Sequence, residues 1–141
     1  MDSFDSRERE AIRDLVARYN QCGDSGHFDE LVSLFCADAT VEVLPDERYD
    51  GVAEIRSLFE GAADGTVQLL RHFVATHQIT LRSPTEATGR CYFAVLTESG
   101  LDHWGSYRDR YRTVDGIWRF AHRSVKVEGR TPGGWADRRR G

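Results

Sequence analysis

A chain of 141 residues, 40% hydrophobic and 30% charged, has the size and composition of one folded domain with a real core. Its net charge of −4 gives no global attraction to nucleic acid or to anionic lipid. Three cysteines without a CxxC spacing argue against a disulfide framework and a zinc cluster, and neither a membrane-length apolar run nor a signal-peptide core is present, so a reduced, cytoplasmic protein is expected.

From Ser6 to about Cys22 the period is helical, with Ile12, Leu15, Val16 and Tyr19 at i, i+3, i+4 and i+7. Asp5 followed by Glu8 reads as a capping box. The glycines of "CGDSGH" break the pattern. A short helix follows, with Phe28, Leu31, Leu34 and Phe35 on one face. "ADATVEVLP" reads as a strand ended by Pro45. "YDGVAEIRSLFEG" restarts a helix on Val52, Ile55, Leu58 and Phe59, with Gly61 as its stop. From Val67 the period is two, over runs 67–82, 86–98, 102–113 and 117–128, separated by "SPTE", "ESGL" and "VDG". Asp115-Gly116 suits the centre of a type I′ hairpin turn. Helices first and long strands after define an α+β fold. The expectation is a cone: three N-terminal helices packed on a strongly curved antiparallel sheet. Residues 129–141 remain as a tail whose basic cluster, Arg138–Arg139–Arg140, reads as a solvated, frayed terminus.

Alternation also assigns faces. In "HWGSYRDRYRT", Tyr107, Asp109 and Tyr111 share one side and Arg108, Arg110 and Arg112 the other. The tyrosine side should be the interior, and buried hydroxyls need partners, so that interior is polar in places. Gly89, Cys91, Phe93 and Val95 make a plainer apolar face. In "LLRHFVATHQITL", His72 and His77 differ by five positions and should face opposite ways, His72 inward and His77 exposed or at an interface. His27, His103 and His122 show no metal-ligand spacing. Trp104 and Trp118 read as packing residues.

The words "LVARYNQCGDSGHFDELVSLFCADATVEV", "YDGVAEIRSLF", "RHFVATHQITL" and "GSYRDRYRTVDGIWRFAHRSV", in this order, resemble the SnoaL-like branch of the nuclear-transport-factor-2-like superfamily, over roughly residues 8–128. Within it the likeness is to the scytalone dehydratase-like group, which carries an aspartate in a word like "DSxxWD" and a histidine in a word like "QHF". Here "DSGHFD" and "RHF" place these at Asp24 and His72. A tyrosine often precedes the aspartate in that group; Gly23 stands there in this chain. The Asp-Arg-Asp pattern of the limonene epoxide hydrolase-like members is not evident. The superfamily includes dehydratases, isomerases, cyclases, hydrolases and non-catalytic adaptors, so the fold alone does not choose a function.

Chemistry supplies a use for the pair. A neutral imidazole is a good general base near pH 7. A carboxylate on one ring nitrogen fixes the tautomer, aims the other nitrogen and stabilises the imidazolium that forms. No metal or redox cofactor is required. The resemblance and this chemistry imply a cofactor-independent lyase of the dehydratase type on a small cyclic hydroxy-carbonyl compound, with Asp24 and His72 catalytic. An isomerase or polyketide cyclase with the same base, and a non-catalytic small-molecule-binding or assembly domain, are the alternatives. Tyr19 and Tyr107 are the candidate donors to an enolate, and Arg123 a candidate contact to a substrate carbonyl or carboxylate. The partners expected are a small-molecule substrate and further copies of this chain, in a dimer or trimer.

Overall fold

The computed structural model describes residues 3–63 and 65–140, without the side chain of Arg140. Helix α1 (Ser3–Ser25) buries Ile12, Leu15, Val16 and Tyr19, the stripe its spacing predicts. It starts early enough that Asp5 lies in the first turn instead of at the cap, where its charge suits the positive end of the helix dipole. Glu8 accepts a hydrogen bond from Trp118 Nε1 in place of closing a capping box. The helix also runs through Gly23 and stops only at Gly26, whose φ of +76° lets the His27 N–H close on the Cys22 carbonyl at 3.0 Å. That extra turn carries Asp24.

Helix α2 (Phe28–Ser33) buries Leu31, and Phe35 is the first residue of strand β1 (Phe35–Val43). Strand β2 (Glu47–Asp50) folds back on β1; four residues with Tyr49 as their one apolar side chain are too few to show a period. Helix α3 (Gly51–Ala62) buries Ile55, and Glu54 reaches back to the Asp50 N–H at 2.6 Å. Strands β3 (Leu70–Ser83), β4 (Glu86–Thr97), β5 (Gly100–Val114) and β6 (Ile117–Arg130) form the expected antiparallel meander. The β5–β6 turn has φ of +53° at Asp115 and +78° at Gly116, the positive pair that a type I′ turn needs.

The sheet order is β2-β1-β6-β5-β4-β3. Helices α1–α3 pack on this curved, open sheet, which is the α+β cone. One seam departs from the antiparallel expectation: β1 pairs parallel with β6. A parallel neighbour needs a long return path, and α3 with the first three meander strands supplies it.

The pairing shifts register at five places in the meander, and three of them reset which side chains face inward. In β3 the pairing slips between Ala75 and Gln78, with Thr76 at φ +56°. In β5 Asp102 is the extra residue between Leu101 and His103. In β6 Ala121 is the extra residue between Phe120 and His122. Tyr107, Asp109 and Tyr111 are buried while Arg108 and Arg110 are exposed, as the alternation predicts.

The tail is not frayed. Trp135–Arg140 form helix α4, because the Asp102 carboxylate accepts the N–H groups of Trp135 (2.7 Å) and Ala136 (3.1 Å). Arg138 and Arg139 remain exposed on it. Among the described residues, no helix is long and apolar enough to cross a membrane.

Candidate active site

Asp24 and His72 meet across the end of α1 and the start of β3. The Asp24 carboxylate accepts twice from the same residue. Oδ1 lies 2.6 Å from His72 Nδ1, and Oδ2 takes the His72 main-chain N–H at 2.9 Å. An ionised carboxylate only accepts, so the geometry puts the proton on Nδ1 and leaves Nε2 with its lone pair. The Asp24 side chain is 9% exposed. A carboxylate at a helix C-terminus opposes the helix dipole, so this position does not serve the helix. Nor does Asp24 bond its own turn, as a loop aspartate commonly does.

Both residues line a cavity of about 480 Å³. Its apolar wall includes Phe59, Leu70, Phe93 and Val125. Tyr19 and Tyr107 line it too. Burial raises the pKa of both phenols, with the Arg123 charge working against it, so both keep their protons. The Tyr107 ring stacks on Phe93 at 4.6 Å between centroids.

Arg123 is not at the cavity, where a substrate contact was expected. The extra residue at Ala121 turns it into the core, where it is wholly buried. Its guanidinium lies 4.3 Å from the Tyr19 ring centroid and 3.8 Å from that of Tyr107. It forks onto Asp109 through Nε (2.7 Å) and Nη2 (2.8 Å). Arg123 therefore backs the two tyrosines from behind.

His77 also departs from its expected face. The slip at Thr76 reverses the parity of β3, so His72 and His77 both turn inward. His77 Nε2 lies 3.1 Å from the Tyr111 hydroxyl, which donates to Asp109 at 2.8 Å. Burial lowers the His77 pKa and favours the neutral ring.

Sequence reasoning missed a second imidazole. His103 lines the cavity, and its Nδ1 lies 2.8 Å from Asp102 Oδ2. Burial lowers its pKa, although Asp102 pulls the other way. Burial pushes Asp102 up, but the bonds from His103, Ala136 and Trp135 outweigh it and hold the carboxyl below its usual range. Strict alternation puts Asp102 and His103 on opposite faces; the bulge puts both inside, and the adjacency of acid and imidazole was the one available signal. The three cysteines are buried free thiols, and burial raises the pKa of each, Cys91 to about 11, which disfavours a thiolate nucleophile. No cluster of three His, Cys, Asp or Glu side chains fit to hold a metal ion occurs among the described residues.

Residues 5–124 match the SnoaL-like domain family, and the chain belongs to it. Among solved structures it is similar to a Novosphingobium aromaticivorans protein described as a scytalone dehydratase candidate, at 27% identity over 93% of this chain and 91% of that one, with a TM-score of 0.84. It is also similar to an NTF2-like protein with a cystatin-like fold from the same organism, at 28% identity over 94% and 88% of the two chains, with a TM-score of 0.76. A hexachlorocyclohexane dehydrochlorinase from Novosphingobium barchaimii shares the fold at 20% identity, covering 94% of each chain, with a TM-score of 0.81. The nuclear-transport-factor-2-like fold that the sequence words imply is the fold observed.

Proposed function

We propose that this protein is a cofactor-independent lyase of the dehydratase type, acting on a small cyclic hydroxy-carbonyl compound. The observation that carries the reading is the bond from His72 Nδ1 to Asp24 Oδ1, 2.6 Å, between two residues of the cavity wall. It leaves Nε2 as the basic nitrogen. The likeness to a protein described as a scytalone dehydratase candidate points the same way.

In this mechanism His72 Nε2 takes the proton from the carbon beside the ligand's carbonyl. The C–H electron pair becomes the enolate and then the new C=C bond. The C–O bond of the β-hydroxyl breaks, and the imidazolium returns the proton to the departing oxygen as water. The products are an enone and water, and His72 ends as it began. Asp24 stabilises the imidazolium between the two transfers. Tyr19 and Tyr107, protonated and at the wall, are the donors to the enolate oxygen. Buried free thiols fit the reducing cytoplasm as its place of work.

The test begins with a thermal-shift screen of alicyclic and aromatic hydroxy-ketones, followed by turnover assays on the hits. His72→Ala should lose about 10²–10⁴-fold in rate. Asp24→Asn keeps the shape and loses the carboxylate, so it should also be severely impaired. The double variant should be little worse than the poorer single one, because the two act as a unit. Losses that multiply would show the residues to be independent and remove this mechanism.

A further inference from the structure

Two residues that line the cavity each carry a buried polar side-chain atom with no hydrogen-bond partner among the described residues: Asn20 Oδ1 and Trp135 Nε1. Three further unpaired atoms belong to Arg9, Arg119 and Arg123, none of which lines the cavity. Each of those guanidiniums already bonds through another nitrogen. Asn20 and Trp135 have no such second bond from the side chain. Buried polar groups are nearly always paired, and leaving one unpaired is costly, so two at one cavity call for a common reason.

The two atoms are chemical opposites. The amide oxygen accepts, and the indole N–H only donates. They also stand beside the two imidazoles. Asn20 is one turn before Asp24 on α1, on the same helix face as the His72 pair. Trp135 packs on His103, with ring centroids 6.0 Å apart, and the Arg139 guanidinium lies 4.8 Å from its ring. Its main-chain N–H is held by Asp102 at 2.7 Å. Both residues line the cavity beside an imidazole.

We propose that Asn20 and Trp135 are the specificity-determining pair of the cavity: Asn20 accepts a hydrogen bond from a ligand hydroxyl, and Trp135 donates one to a ligand carbonyl. The inference rests on the dehydratase reading and deepens it, because it states which groups the substrate presents and to which residues. A ligand with both groups satisfies both atoms; a plain ketone satisfies Trp135 alone; a hydrocarbon satisfies neither.

The experiment uses three matched probes that cannot react: a hydroxy-indanone with two methyl groups on the carbon between carbonyl and carbinol, the same ketone without the hydroxyl, and the parent hydrocarbon. With no hydrogen on that carbon, elimination is blocked and only binding is read. Affinities are measured by calorimetry on the wild type, Asn20→Leu and Trp135→Phe. The wild type should bind in the order hydroxy-ketone, ketone, hydrocarbon, each step worth about 2- to 10-fold in Kd. Trp135→Phe should lose that factor for both ketones and not for the hydrocarbon. Asn20→Leu should lose it for the hydroxy-ketone alone. In ¹H–¹⁵N spectra the indole resonance of Trp135, identified by its absence in Trp135→Phe, should move downfield with the ketones and not with the hydrocarbon. The spectra and the wild-type series stand even where a variant fails to fold. Equal affinities across the three probes, binding of none of them, or an unmoved indole resonance overturns the proposal. Binding differences without turnover of the unblocked hydroxy-indanone would sink the dehydratase reading and leave the pair standing; turnover without binding differences would sink the pair alone.

Discussion

The Asp109–Arg123 pair sets a stability test whose size follows from its surroundings. Both side chains are 0% exposed. Asp109 accepts three hydrogen bonds, from Arg123 Nε, Arg123 Nη2 and the Tyr111 hydroxyl. Asp109→Asn keeps the volume, removes the charge and, in either amide orientation, presents an NH₂ to at least one donor. The Arg123 charge is then buried without compensation, among the Tyr19, Tyr107 and Phe120 rings. Breaking a buried pair from one side costs about 3–5 kcal/mol. Set against a total stability of about 5–15 kcal/mol, that is a large share. At about 2–4 °C per kcal/mol for a domain of this size, the melting temperature should fall by roughly 6–20 °C. Calorimetric and circular-dichroism melts of the wild type, Asp109→Asn and the double variant Asp109→Leu/Arg123→Met measure it. The double variant leaves no charge in the core and should be more stable than Asp109→Asn. A single variant within about 1 kcal/mol of wild type, or a double variant worse than the single, would refute this account of the core.

Two further outcomes are expected. Burial lowers the pKa of His77, His103 and His122, so as the pH falls below about 6.5 the unfolded chain takes up protons before the folded one does. Stability should therefore decline from about pH 7 to about pH 5, and a urea midpoint that rises over that window would contradict the buried, neutral imidazoles. On the outer face of the meander, Phe73 and Trp104 flank Ala94, with Tyr92 beside them; Phe73 and Tyr92 are 58% and 60% exposed. We expect this apolar row to be covered by further copies of the chain, a trimer first, and light scattering that gives a particle of 16.0 kDa at micromolar concentration would count against it.

Much of the fold was legible because its elements repeat with clear periods. The Ile12-Leu15-Val16-Tyr19 stripe and the meander runs each state their burial several times over, so a boundary error of two or three residues changes little. Asp115-Gly116 was legible because one turn type requires that chemistry. What escaped has no period. Strand β2 is four residues, three of them charged, held by pairing with β1. Helix α4 depends on Asp102, more than 30 positions upstream, whose carboxylate holds its first N–H groups. The parallel β1–β6 seam is a consequence of chain path, which local pattern does not encode.

The site itself was half legible, and the division falls at the bulges. Asp24 and His72 were marked by the words "DSGHFD" and "RHF"; His72 precedes the slip in β3, so alternation gives its face, while Asp24 lies in an added helical turn where a loop was expected. His77 and Arg123 lie just past an inserted residue and Asp102 is one, and at each of the three the face is the reverse of strict alternation. The coincidence has a physical basis. An inserted residue interrupts the ladder and turns a side chain of a polar-reading position toward the interior without changing the apolar pattern on either side. A small barrel-like cone can thus keep continuous apolar faces for its core and still admit imidazoles, carboxylates and a guanidinium. Each must then find a partner, and the inward ones do: His77 in Tyr111, His103 in Asp102, Arg123 in Asp109. A strand reading that counts alternation alone loses its accuracy at the positions where a polar interior is built.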